Sequence, residues 1–227
     1  MKFHQLFTLF IVLIFLVFPP TFVTQQNNIA SSNYIQDANN FSIFTVLTCL
    51  IWSIFLFIVS GVKENKLSRN SFRFSLISFI IILYISIILN QVKILFDLPQ
   101  NDFIYNLTKK QKILSCIQIV VLCIYEEILY RKFLHKNFKS ILHIVFEKLI
   151  KNHESKIIEK LPNIISIFLL SVLFALAHLY SGFIDVIFAF LASLVFSICY
   201  EKTKNIIFPI IAHTMYNLLI FLTLTKF

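Results

Sequence analysis

The sequence predicts an all-α protein, a polytopic bundle of about seven membrane-spanning helices forming a single membrane domain over 1–227, and three observations carry that prediction. First, 58% of the 227 residues are hydrophobic and 14% are charged, where soluble domains carry roughly 25% charge. Second, mean hydropathy is +0.84. Third, apolar runs near 3–23, 41–62, 74–92, 113–130, 164–181, 184–200 and 206–225 are each long enough to cross, or nearly cross, a hydrocarbon core. Disorder is excluded, because disordered chains are poor in aromatics and this one holds 27 Phe.

The elements follow in order. Lys2 precedes an apolar core at Leu6–Phe18, as in a signal peptide, but Phe18-Pro19-Pro20-Thr21-Phe22-Val23 offers no small-residue cleavage site, so an uncleaved anchor is expected. A polar loop at 24–40 leads to the second and third runs, and Leu98-Pro99-Gln100-Asn101-Asp102 supplies a turn before the fourth. The 131–163 stretch is too charged to span. Within it Phe138, Ile141, Leu142, Val145, Phe146 and Leu149 recur at helical spacing opposite Lys139, Glu147 and Lys148, which predicts an amphipathic interfacial helix near 138–150. Three further runs complete the chain, and Ala189, Ser193 and Ser197 form a small-residue stripe on the sixth that lets neighbouring backbones approach.

The formal charge of +9 reads as topology rather than as a nucleic-acid surface, since no basic stripe is interleaved with aromatics. An inner N-terminus puts Lys2, Lys63, Lys66, Arg69, Arg73, the cations of 131–163, Lys202 and Lys204 on one side. It leaves Lys93, Lys109, Lys110, Lys112 and Lys226 outside, so a multi-pass protein with a cytoplasmic N-terminus is expected; the plasma membrane is expected as the commonest setting for such a chain. Cys49, Cys116, Cys123 and Cys199 all fall in apolar runs without a CxxC pair, and are expected to be inert buried thiols.

Ionisable groups inside spans are costly and face a bundle interior or a wet cavity, so they mark candidate sites. They are Glu126, Glu127 and Arg131 near the end of the fourth run, His178 in the fifth, Asp185 at the start of the sixth and His213 in the seventh. On a helix Glu127 and Arg131 are i,i+4 neighbours able to pair, while Glu126 lies about 100° away. A charged span end snorkelling to the interface gives the same pattern. His178 shares a helix face with Phe174, and His213 shares one with Asn217. Lone membrane histidines also serve as helix–helix hydrogen-bonding groups. Together one glutamate, two histidines and an asparagine could activate a water and hold an oxyanion, or bind a metal.

Glu126-Glu127-Ile128-Leu129-Tyr130-Arg131 fits EExxxR, Phe174-Ala175-Leu176-Ala177-His178 fits FxxxH, and His213-Thr214-Met215-Tyr216-Asn217 fits HxxxN. In that order they resemble the three motifs of the CPBP family of intramembrane proteases, which includes the CAAX prenyl endopeptidases and the bacterial abortive-infection and bacteriocin-immunity proteins. The resemblance covers 113–225, the motif-bearing half. It implies an intramembrane endopeptidase in which Glu126 is the general base for a water shared with His178, and His213 and Asn217 stabilise the oxyanion. Glu127 and Arg131 would stand behind them, fixing the helix and the base. No metal or other cofactor is expected, with a divalent ion such as zinc left open. The implied partners are the bilayer and a membrane-associated peptide or prenylated protein. Lys132 follows Arg131 where the family commonly has glycine, and Phe183, Ile184 and Phe188 replace its small residues after the FxxxH motif.

Counted at about 1.5 Å per residue, the run boundaries put His178 deeper than Glu126 and His213. Convergence therefore calls for a fourth span that runs deeper, and a fifth that starts later or tilts, with a helical extension near Leu161–Ile167. Two other functions compete on the same residues: a non-catalytic scaffold or immunity protein on this fold, and a small transporter, against which the lack of an internal repeat counts.

Overall fold

The computed structural model describes residues 43–98, 107–149 and 156–225. The anchor expected at 3–23, the loop at 24–40, most of the turn at 98–102 and Lys226 lie outside the described residues. The elements are α1 (Ile43–Ser60), α2 (Arg69–Leu95), α3 (Lys109–Glu127), a π-helical segment (Ile128–Leu134), α4 (His135–Leu149), α5 (Lys156–Leu176), a 3-10 turn (Leu179–Ser181), α6 (Phe183–Thr203) and α7 (Ile207–Leu224). Every described apolar run is therefore helical. Arg69–Leu95, Lys109–Lys148, Phe183–Thr203 and Ile207–Leu224 are long and apolar enough to span a membrane, and Thr45–Ser60 and Lys160–Leu176 are shorter apolar helices. The protein is an integral membrane helix bundle.

Local chemistry sets the ends. Ser68 caps α2 by accepting the Ser71 N–H at 3.1 Å. Thr108 and Gln111 form a reciprocal capping box at the start of α3, at 2.9 and 3.3 Å. The residue after α6, Lys204, takes a left-handed conformation at φ 50° and ends that helix.

Two boundaries differ from the hydropathy reading. The fourth run does not stop near 130: helix continues through the π segment into α4, and the amphipathic helix expected near 138–150 is its last part. Lys109–Lys148 is a single 40-residue rod, so Glu126, Glu127 and Arg131 sit inside it and not at the end of a helix. No Pro or Gly occurs between 109 and 149 to stop it. The fifth span also requires correction. Helix α5 starts at Lys156, earlier than the run, includes Leu161–Ile167, and ends at Leu176. His178 thus lies in a turn at φ −108°, ψ 14°, followed by Gly182 at φ 102°. Side chains with a Cβ rarely adopt that last angle, so a glycine is what allows the chain to reverse into α6.

Helix α6 packs against α5, α2 and α7, while α7 also packs on α2 and α3, and α1 on α3 and the π segment. One apolar cluster, including Cys49, Leu56, Val121, Leu129, Phe133 and Leu170, joins α1, the rod and α5. A second, Ile82, Ala192, Phe196, Ala212 and Tyr216, joins α2, α6 and α7. At one end of the bundle Lys93 of α2 pairs with Asp185 of α6 at 2.7 Å. At the opposite end the segment after α1 interlocks with the α6–α7 turn: Asn65 N donates to Lys204 O at 3.0 Å, and Asn205 Nδ2 donates to Asn65 O at 2.6 Å.

Candidate active site

Glu127 ends α3 with its side chain fully buried, 3.2 Å from the Nε of Arg131 one turn on. Its other oxygen lies 2.9 Å from Nδ1 of His213 on α7. An ionised carboxylate only accepts hydrogen bonds, so Nδ1–H is the donor and Nε2 is the ring nitrogen that faces elsewhere. Nε2 faces the neighbouring residue: Glu126 Oε2 is 3.8 Å away, and this carboxylate is 15% exposed where Glu127 is 0%. One imidazole is thus hydrogen-bonded by Glu127 on one side and faced by Glu126, beyond hydrogen-bond distance, on the other.

The desolvation cost of a buried ion pair must be offset by its surroundings. The Arg131 guanidinium donates from NH2 to Ser193 Oγ at 3.0 Å and to Ser193 O at 3.3 Å. Its central carbon lies 4.9 Å from the Phe174 ring centre and 5.5 Å from that of Phe196, where aromatic faces favour a cation. Phe196 also stacks on His213, with centroids 4.6 Å apart and planes 26° apart. Arginine and imidazole are in this way walled by the same aromatic side chains from α5 and α6.

The π segment lies directly beyond Glu127, and six of its seven residues are buried, Arg131 and Lys132 among them. Its wide turns bond His135 N–H to Tyr130 O, five residues back. Single π turns inside α-helices are frequent at functional sites.

Asn217, one turn beyond His213, donates from Nδ2 to Cys123 Sγ at 3.4 Å. Cys123 in turn is one turn before Glu127 on α3, so the two helices meet through two successive pairs. His178 packs against Phe174, whose ring also borders this cluster. Its Nδ1 is 2.7 Å from the Phe174 carbonyl, which can only accept, so Nδ1 donates and Nε2 is the acceptor nitrogen of the neutral ring. Its ring lies 4.6 Å from that of Phe174, and Phe174 is edge-on to His213 at 6.3 Å. Among the described residues no three His, Cys, Asp or Glu side chains are placed to hold one metal ion.

The residues singled out in the sequence therefore gather unevenly. Glu126, Glu127, Arg131 and His213 form one connected cluster, Asn217 joins through Cys123, and His178 adjoins it through the Phe174 ring. Glu127, which the resemblance puts behind the base, bonds directly to His213. Three neighbours escaped the sequence reading. Cys123 read as an inert thiol, although its four-residue offset from Glu127 matches that of His213 from Asn217. Ser193 read as a small packing residue, and the hydroxyl that binds Arg131 was its only distinguishing signal. Nothing in local sequence marked Phe196.

Fold and cluster define a class: helical membrane proteins with a paired-glutamate and histidine centre inside the bundle. Residues 109–219, from the start of α3 into α7, match the Rce1-like family, type II CAAX prenyl endopeptidases, which is the protease group that the three motifs resemble. All seven motif residues fall inside the match. No curated protein and no solved structure matches the chain.

Proposed function

We propose that the protein is an intramembrane endopeptidase that hydrolyses a peptide bond in a membrane-associated substrate, a prenylated protein being the class that the Rce1-like match suggests, by glutamate-activated water. The observation that carries this reading is the His213 imidazole bonded to Glu127 and facing Glu126 within the matched segment.

Both oxygens of Glu127 are committed, one to His213 and one to Arg131, and its side chain is fully buried. The partly exposed Glu126 is then the carboxylate that water can reach. Glu126 takes a proton from a water that His178 Nε2 helps to orient. The water oxygen forms a bond to the carbonyl carbon, and the carbonyl electron pair moves onto its oxygen. His213, as the imidazolium, donates from Nε2, and Asn217 from its amide, to this oxyanion. Such donors contribute about 3 kcal/mol each to the transition state. As the intermediate collapses the C–N bond breaks, the nitrogen collects the proton from Glu126, and a carboxylic acid and an amine leave. Glu127 acts by holding the ring, through Nδ1, in the orientation this requires. The proposed setting is the plasma membrane with a cytoplasmic N-terminus.

The test is cleavage of membrane-associated and prenylated peptides by detergent-purified protein, with Glu126→Gln and a chelator as separate arms. Loss of cleavage in Glu126→Gln alone supports a glutamate-activated water. Loss with chelator as well makes a divalent ion part of the site. No cleavage by the wild type, with the Glu126→Gln chain retaining the cellular role, overturns the hydrolase in favour of a scaffold.

A further inference from the structure

Lys132 has no place in the chemistry above, yet its side chain is only 1% exposed. It follows Arg131 directly, within the π segment and five residues beyond Glu127. Its ammonium pairs with Glu64 and stands 3.3 Å from the Phe57 ring centre. The partner carboxylate is itself shared: Glu64 Oε2 accepts the backbone N–H of Ile206 at 2.8 Å. Ile206 immediately precedes α7, the helix that carries His213 two turns later. One carboxylate thus joins the rod that carries Glu127 to the first turn of the helix that carries His213. It also opposes the partial positive charge of that helix end.

The surroundings make the link stiff. Glu64 is followed by Asn65, whose Nδ2 donates to Thr203 O at 3.3 Å and whose backbone bonds to Lys204 and Asn205. On the other side Lys136 donates to the Ser60 carbonyl at the end of α1. The 60–65 segment is therefore fastened to both helices. Removing two charges from water offsets most of the Coulombic gain of a buried pair, and setting register is the best-attested use of such pairs.

We propose that Glu64 and Lys132 are positioning residues that fix the register of the His213 helix against the Glu127 helix. They hold the imidazole within reach of both carboxylates without touching it. The kinetic consequence rests on the hydrolase reading above, but the geometric one does not.

The test reads both in the full-length protein in detergent. One readout is the His213 Nδ1–H resonance in histidine-labelled NMR, assigned by its absence in His213→Asn. The other is kcat and KM for peptide cleavage. Lys132→Met leaves an uncompensated carboxylate and is expected to lower both melting temperature and signal. The informative variant is Glu64→Gln/Lys132→Met, which has no unpaired charge and keeps an acceptor for Ile206. It should melt near wild type, yet show a shifted or lost resonance and a kcat lowered by about 10- to 100-fold, with KM within about twofold. Glu64→Asp, charged but one methylene short of bridging both partners, should shift the resonance in the same way, and decides the question if the double variant does not fold. A wild-type resonance in the variants that fold overturns the proposal and leaves the pair a packing element. If the wild type cleaves nothing, the hydrolase reading fails while the resonance still decides the tie.

Discussion

Replacing Glu127 by Gln changes almost no volume and removes one charge, so it isolates what that charge holds together. In the wild type the carboxylate lies 3.2 Å from Arg131 Nε and 2.9 Å from His213 Nδ1, with side-chain exposures of 0%, 1% and 7% for Glu127, Arg131 and His213. A glutamine offers one acceptor in place of two, and its NH2 meets either a guanidinium or an imidazole N–H, neither of which accepts. Arg131 keeps Ser193 but loses its counter-charge at a site water does not reach. Breaking one side of such a pair costs about 3–5 kcal/mol. At about 2–4 °C per kcal/mol for a chain of this size, the expected fall in melting temperature is about 6–20 °C. Thermal unfolding of the two purified proteins in the same detergent measures it. Adding Arg131→Met to Glu127→Gln should recover most of the loss, because the stranded cation is removed with its partner. A single variant that melts within about 2 °C of wild type, the lower end of the shift for 1 kcal/mol, would mean that Arg131 finds water or another anion, and would refute the reasoning.

Two further outcomes are expected. Asn217→Ala removes one proposed oxyanion donor and should lower kcat about 100-fold or more with little change in KM, at roughly 3 kcal/mol per donor; steady-state cleavage kinetics measure this, and an equal rise in KM would assign Asn217 to ground-state binding instead. Ser193→Ala deletes the hydroxyl bonded to Arg131 at 3.0 Å and should cost about 1.5–3 kcal/mol, the range for a hydrogen bond to a charged group. Denaturation in detergent checks it, and an unchanged stability would mean the Ser193 carbonyl alone suffices.

The helical class was legible because long apolar runs say little else, and six of those runs are helices in the described residues. Their ends were less legible, for a reason specific to each. Hydropathy treats Arg131 and Lys132 as a boundary, whereas in the folded chain Glu127 and Glu64 neutralise them and the rod continues. Hydropathy likewise carries the fifth run past His178, because Leu179 and Tyr180 are apolar, and it does not register that Gly182 turns the chain. The site shows the same division. Charged and imidazole groups stand out against an apolar background, so Glu126, Glu127, Arg131, His178 and His213 could be picked out singly. Their pairing could not: Glu127 and His213 are 86 positions apart, and periodicity speaks only of neighbours on one helix. Cys123 and Ser193 blend into the apolar and small-residue background that spans are made of, so their hydrogen bonds appear only when a second helix is in place.

The unbroken rod from Lys109 has a bearing on where solvent comes from. Eighteen steps separate Lys109 from Glu127, and at about 1.5 Å each they span about 27 Å, nearly the whole of a hydrocarbon layer about 30 Å thick. With the Lys109, Lys110 and Lys112 ammonium groups at one headgroup layer, the paired glutamates come to rest near the other, and the remaining turns to Leu149 extend beyond it. In the proposed hydrolase a water molecule would then reach Glu126 by a short descent from the far leaflet's surface, with no aqueous channel through the membrane, and the bilayer would stay sealed to ions during the reaction.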